Sequence, residues 1–239
     1  MDSSNPTGKL YMVPTLLGEV EPLEVLPVAA KKVIDMCDYY VVENEKSARA
    51  FIKRVLPSKD QGSLEIFVLN KFTDPADIPS FLKPAEEGNH MAMLSEAGAP
   101  GIADPGSDVV TIAHEKGIRV VPVVGPSAIF MAMMASGMNG QNFAFNGYLP
   151  IEKHLRKRRI KAMENLSLKN DQSQIFIETP YRNGKLFKDF MTTCSPSTRL
   201  CIACDVSLAS EYIKTAPVSW WKANEPDLEK RPAIFIIHG

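Results

Sequence analysis

The residues best suited to chemistry lie in one run, Leu94-Ser95-Glu96-Ala97-Gly98-Ala99-Pro100-Gly101-Ile102-Ala103-Asp104-Pro105-Gly106-Ser107-Asp108. Glycine has no Cβ and tolerates positive φ, so Gly98, Gly101 and Gly106 let backbone amides approach a small ligand closely. The run follows a strand-like apolar segment and is expected to end in a helix. Asp104 would be the N-cap, Pro105 the first helical residue, and Asp108 a negative charge in the first turn. The spacing is neither the G-x-G-x-x-G dinucleotide fingerprint nor a phosphate loop with its closing Gly-Lys-Ser/Thr. A glycine-rich connecting turn without a ligand is the simpler alternative.

Further candidates lie downstream. Gly125-Pro126-Ser127 opens an apolar helix, and Ser127 is expected as the second residue of a helix begun by Pro126. There its hydroxyl would face an anionic group or serve only local capping. Glu178 and Arg182 stand four apart at the start of a helix, where they can pair with each other or hold substrate. Lys153-His154-Leu155-Arg156-Lys157-Arg158-Arg159-Ile160-Lys161 is the one dense basic run. It reads as a phosphate-binding face, with Arg156, Arg158 and Arg159 as the contacts, or as a solvated helical face. Cys201-Ile202-Ala203-Cys204 has C-x-x-C spacing, but it sits in a strand-like run where positions three apart face opposite sides. Buried structural thiols are therefore expected, and no metal site. Ala128, Ala132, Ala135 and Ser136, interleaved with Met131, Met133 and Met134, read as a packing face.

The elements that position these residues alternate between strand and helix. Strands are expected at Leu10–Thr15, Tyr39–Glu43, Leu64–Leu69, His90–Ser95 and Ile118–Val123, with helices near Val28–Cys37, Ser47–Leu56, Ala76–Glu87 and Gly106–Lys116. After a helix following Gly125, strands are expected at Phe143–Leu149, Ile175–Thr179, Leu200–Val206, Glu211–Thr215 and Ile234–His238, with helices near His154–Leu166 and Asn183–Thr192. Successive strands without an intervening helix imply an antiparallel portion. The expected fold is thus α/β in two domains, 1–123 and 124–239, with the ligand cleft between them. Each suggestive segment falls at a strand's carboxyl end, where open α/β sheets hold ligands.

The 239 residues are 45% hydrophobic and 23% charged, enough for a sizeable core, and the net charge of −1 gives no global attraction to polyanions. Any nucleic-acid partner must then meet a local patch. The segment Met1-Asp2-Ser3-Ser4-Asn5-Pro6 is polar, which argues against a secretory signal. The apolar region from Val120 to Met138 is broken by Pro122, Gly125 and Pro126, so no membrane span is expected. A cytoplasmic protein follows as the expectation.

Taken together, Gly8 to Thr15, Glu96-Ala97-Gly98-Ala99-Pro100 with Asp104-Pro105-Gly106, Val121-Pro122 with Gly125-Pro126-Ser127, and Phe145 to Pro150 with Glu178 and Arg182 are specific. The chain resembles the tetrapyrrole methylase superfamily of S-adenosylmethionine (SAM)-dependent methyltransferases, closest to the RsmI-like branch that methylates a ribose 2′-hydroxyl in small-subunit ribosomal RNA. The resemblance implies SAM as cofactor, held by Pro14, Glu96, Ala97, Gly98, Pro100, Gly101, Ser127 and Thr179, and more weakly by Leu208 and Ala233. It also implies an RNA acceptor, a role in rRNA processing and a homodimer. Arg156, Arg158, Arg159, Glu178 and Arg182 are then the candidate substrate contacts. A ribose acceptor needs a base for its proton, and Glu43, at the end of the second strand, is the first candidate. Where the RsmI-like pattern has Glu-Asp-Thr-Arg, this chain has Glu43-Asn44-Glu45-Lys46. Methylation of a small tetrapyrrole-like substrate, or an inactive SAM-binding regulator, are the alternatives.

Overall fold

The computed structural model describes residues 7–239, and the polar N-terminal hexapeptide that argued against a secretory signal lies outside the described residues. The first half contains β1 (Lys9–Val13), α1 (Pro22–Val25), α2 (Val28–Met36), β2 (Tyr39–Val42), α3 (Glu45–Val55), β3 (Glu65–Val68), α4 (Ile78–Phe81), α5 (Lys83–Glu86), β4 (Met91–Leu94), α6 (Ser107–Glu115) and β5 (Arg119–Pro122). The second contains α7 (Ala128–Ser136), β6 (Phe143–Tyr148), α8 (Lys153–Asn170), β7 (Ser173–Ile177), α9 (Asn183–Thr193), β8 (Arg199–Cys204), β9 (Tyr212–Pro217), α10 (Val218–Trp221) and β10 (Ala233–His238). They gather into two compact units, one ending at Ser127 and the other running from Ala128 to Gly239.

The first unit is a parallel sheet of order β3-β2-β4-β1-β5. Helical crossovers cover both faces, so alternate residues of a central strand enter different cores. Met91 and Met93 of β4 pack with Leu10 and Val41 on one face, while Ala92 and Leu94 pack with Val13, Tyr40 and Val42 on the other. Val42, Leu94 and Val13 lie in register on neighbouring strands, so the loops after β2, β4 and β1 start side by side. The connections leaving the adjacent strands β1 and β4 run in opposite directions, the condition that opens a crevice at strand carboxyl ends.

In the second unit the order is β6-β7-β10-β8-β9. β6 and β7 are parallel, whereas β10 runs antiparallel to both β7 and β8, and β8 to β9, so the expected antiparallel portion is present. Phe176, Ile202, Phe235 and Ile237 meet Phe187 and Phe190 of α9 and Ile160 of α8 in one core. All four cysteines are buried and free. Burial pushes the Cys37 and Cys194 thiols up to about 12 and Cys204 up to about 11, which keeps them as inert packing groups.

Several local expectations need correction. The helix expected over Ala76–Glu87 is two single turns, because Pro84 lacks an N–H and restarts the helix at its second position. Asp104 does not cap α6 and Pro105 does not begin it; Gly106 occupies the N-cap at φ 136° and the helix starts at Ser107. Ser127 is not the second residue of α7, which starts one residue later at Ala128. Among the described residues no helix is long and apolar enough to cross a membrane.

Candidate functional site

At the carboxyl end of the first sheet the loops after β1 and β4 are tied together. The Gly98 carbonyl accepts from Thr15 N–H at 2.9 Å and from Ser95 Oγ at 2.7 Å, with Thr15 and Ser95 both buried. Gly98 sits at φ 76°, where a Cβ would lie 3.1 Å from Leu17 Cδ2 and 3.5 Å from the Pro126 carbonyl oxygen. Gly106 is more constrained, since a Cβ there would come within 2.1 Å of Met93 Cε. Ala103 adopts φ 65° in the same loop, a left-handed conformation that costs a non-glycine residue about 1 kcal/mol or more. The glycine run is therefore a fixed structure, held by three backbone choices that ordinary residues resist.

Three carboxylates gather on this loop. Glu43 follows β2, and one of its oxygens accepts from Glu96 N–H at 3.3 Å; the Glu96 side chain accepts from Ser47 Oγ at 2.6 Å. Burial raises the Glu43 carboxyl above its ordinary value; the Glu96 amide opposes that shift and the Glu96 charge adds to it. Asp104 is pushed up to about 6, first by burial and then by the negative charges of Glu43 and Glu96. Among the described residues none of the three has a salt-bridge partner, so no cation offsets the repulsion between them. Sequence reading placed Asp104 as a cap and missed this role; only the fold shows that it faces Glu43. The departure Asn44-Glu45-Lys46 has a local explanation, since Asn44 caps α3 by accepting from Lys46 N–H and Ser47 N–H, while Glu45 pairs with Arg49.

In the second unit, Thr179, Leu208 and Ala233 share one end of the sheet. Thr179 follows β7, Ala233 begins the antiparallel β10 beside it, and Leu208 lies in the turn after β8. Glu178 and Arg182 pair with each other: Glu178 Oε1 accepts from Arg182 Nη2 at 2.6 Å, from Nε at 2.9 Å, and from Thr179 N–H at 2.7 Å. Asp205 receives Arg231 Nε at 2.8 Å and Ser210 Oγ at 2.9 Å, which fixes the turn that carries Leu208. Two buried polar atoms at this end, Ser207 Oγ and Asn183 Oδ1, have no hydrogen-bond partner among the described residues. Orphaned groups of this kind fit a polar ligand.

The basic run does not act as one face. Arg156 is buried, donating to Asp189 Oδ2 at 2.8 and 2.7 Å and to the carbonyls of Pro150 and Ile151, because burial of Asp189 demands a close cation. Its expected phosphate contact is thereby withdrawn, and of the three arginines only Arg158 and Arg159 are exposed. Of the remaining candidates, Pro14, Gly98 and Pro100 are buried, Gly101 and Ser127 half-buried, and Glu96 and Ala97 exposed. Among the described residues no group of three or more His, Cys, Asp or Glu side chains is arranged to hold a metal ion.

Residues 9–219 match the family model of tetrapyrrole (corrin/porphyrin) methylases. The chain is 28% identical over 241 residues to the ribosomal RNA small subunit methyltransferase I of Escherichia coli O157:H7, covering 99% of this chain and 80% of that protein. It is 30% identical over 184 residues to the protein of the same name from Thermotoga maritima, 77% of each chain. Among solved structures it is similar to the methyltransferase CobJ, with a TM-score of 0.64 at 14% identity over 98% of this chain and 95% of that one. It is also similar to a uroporphyrin-III C-methyltransferase from Thermus thermophilus complexed with S-adenyl homocysteine, with a TM-score of 0.58 at 15% identity over 97% of each. At these identities the two structures show the fold alone.

Proposed function

The chain belongs to the tetrapyrrole (corrin/porphyrin) methylase family and is a SAM-dependent methyltransferase, and from that premise we propose that its acceptor is a ribose 2′-hydroxyl of small-subunit ribosomal RNA. The near full-length similarity to proteins named ribosomal RNA small subunit methyltransferase I carries this reading. Bound SAM supplies an activated methyl group on a sulfonium. The proposed cofactor residues are Pro14, Glu96, Ala97, Gly98, Pro100, Gly101 and Ser127 in the first unit, and Thr179, Leu208 and Ala233 in the second. The fixed turn at Gly98, which presents no Cβ, and the orphaned Ser207 hydroxyl are the features that fit such a ligand.

This chain's residues then have two tasks, positioning the acceptor hydroxyl and taking its proton. Positioning accounts for much of the acceleration in an in-line transfer. Glu43 is the proposed base. Burial raises its carboxyl above the ordinary glutamate value, the direction that makes a carboxylate a stronger base. Asp104, pushed up to about 6 in the same cluster, is the second candidate for that role. The exposed Arg158 and Arg159 contribute phosphate contacts, while the Glu178–Arg182 pair orders the turn that carries Thr179. A cytoplasmic location follows from an rRNA acceptor, and the exposed Phe130 and Met134 of α7 support a homodimer, which light scattering would test.

The deciding experiment incubates the purified protein with labelled SAM and small-subunit RNA from cells lacking this gene, then digests the RNA to nucleosides for mass spectrometry. The expected product is a single 2′-O-methylated nucleoside. A base-methylated nucleoside would overturn the ribose assignment, and label entering only a tetrapyrrole acceptor would overturn the RNA reading.

A further inference from the structure

We propose that the groove between α8 and α9 is a docking site for the sugar–phosphate backbone of a single-stranded segment of the RNA acceptor, gripped by Lys153, Lys185 and Lys188 with Tyr181 stacking on a base. The inference rests on the RNA reading above and joins Lys153 of the basic run to Lys185, Lys188 and Tyr181, which lie outside it.

The groove is a cavity of about 470 Å³ between the first turns of the two helices. Five cations line it, Lys153, Arg156, Arg182, Lys185 and Lys188, against two carboxylates, Glu178 and Asp189. The two arginines are already committed to the carboxylates. The lysines are not. Lys153 and Lys185 have no ion-pair partner among the described residues, and Lys188 reaches only Glu225, at 3.7 Å and with both side chains more than half exposed. Such a solvated pair holds little energy and yields readily to a phosphate. The arginines thus build rigid walls while the lysines leave three positive charges in excess, a pattern suited to a polyanion.

The shape favours a chain over a lone anion. Lys188 also lines a neighbouring hollow of about 430 Å³ whose rim carries Tyr181, a residue 80% exposed. An exposed aromatic ring beside a basic groove is the arrangement that binds unstacked bases, since every base presents a π-face and the backbone follows the charge. A strand crossing the start of α9 would meet a base platform at Tyr181 in one hollow and phosphates at Lys153 and Lys185 in the other, with Lys188 lining both. Acidic Glu225, Asp227 and Glu229 on the far wall of the hollow limit the strand to the α9 side.

The test uses the full chain, a single-stranded RNA oligonucleotide of about ten nucleotides and inorganic phosphate as separate probes, with affinity measured across salt concentrations. Each single-strand phosphate contact contributes about 0.7 to the logarithmic salt slope, so a variant with Lys153→Ala, Lys185→Ala and Lys188→Ala should lose about 2 from it. Tyr181→Ala should weaken RNA affinity roughly 5- to 100-fold, with Tyr181→Phe restoring most of it, because stacking needs the ring and not the hydroxyl. Thermal unfolding and SAM titration of each variant should match the parent, since all four side chains are exposed. An unchanged slope in the triple variant, with RNA affinity instead lost in an Arg158→Ala, Arg159→Ala variant, overturns this site and leaves the RNA reading standing. Loss of phosphate binding without loss of RNA affinity overturns it as well, making the cavity a free-anion site. Absence of RNA binding by the unmodified chain overturns the RNA reading itself.

Discussion

The ends of the two sheets hold charge in opposite ways. In the second unit every buried carboxylate near the site is matched: Glu178 by Arg182, Asp205 by Arg231, Asp189 by Arg156. In the first, Glu43, Glu96 and Asp104 face one another without a cation, and two of them are pushed upward. Matched pairs fix geometry, because breaking one strands a charge in a poorly solvated place. Unmatched carboxylates instead poise protons. The second unit thus reads as the rigid wall of a binding surface, and the first as the place where a proton can change hands.

Arg156→Ala should break this comparison most severely. It leaves Asp189 buried with only Lys157, 3.8 Å away, and it orphans two carbonyls, so unfolding stability should fall by about 3–5 kcal/mol. Arg158→Ala, two residues along on the exposed side, should change it by no more than about 0.5 kcal/mol. Denaturant titration of the two variants makes the measurement. Equal effects would mean that the pairing in the second unit is not what holds it together.

Much of this arrangement is legible in the sequence, and the reasons for the rest are local. The alternation of strands and helices, and the loops at strand ends, follow from apolar runs set between helical segments, because buried parallel strands read as continuous hydrophobic stretches. Met91–Leu94, buried throughout, shows this plainly. Arg156 could not be told from Arg158, since a basic run states its composition and not which residue finds a carboxylate 33 positions away. Asp104 looked like a cap because Asp-Pro is an ordinary helix opening. Gly106 took that place, at a positive φ and with Met93 packed where a Cβ would lie. Lys185, Lys188 and Tyr181 left no trace, being scattered single residues until α9 aligns them.

The next effect is catalytic. Glu43→Gln keeps size and hydrogen bonding while removing basicity, so single-turnover methyl transfer should slow on the order of 10²-fold, with SAM affinity nearly intact. A raised apparent acceptor constant with unchanged turnover would assign Glu43 to positioning alone. If instead Asp104→Asn gives the larger loss, the base sits on the other side of the same cluster, and the contrast between the two units survives with its key residue exchanged.

The smallest effect probes the repulsion directly, through stability. A carboxylate whose folded-state value is raised binds its proton more tightly in the folded chain than in the unfolded one. It favours folding below the unfolded value, near 4, and loses that contribution as pH rises through its folded value. For Asp104 the window runs from about 4 to about 6. Asp104→Asn cannot ionise, so it should gain on the parent chain as pH rises across that window and reach a plateau above it, with no gain at pH 4. Because the group is only half-buried, solvent screening holds the gain to about 1 kcal/mol or less, a shift of at most a few degrees in melting temperature. Glu164 in the second unit supplies the opposite control. Burial alone would raise it, but bonds from Lys161, Thr198 and Ser195 N–H outweigh that and hold it below its ordinary value, so its contribution appears as pH rises and is lost on acidification. Glu164→Gln should therefore lose stability relative to the parent at neutral pH and less of it in acid. If both variants shift with the same sign between pH 4 and 7, the first unit is not holding its carboxylates against repulsion, and the division of labour between the two sheet ends fails.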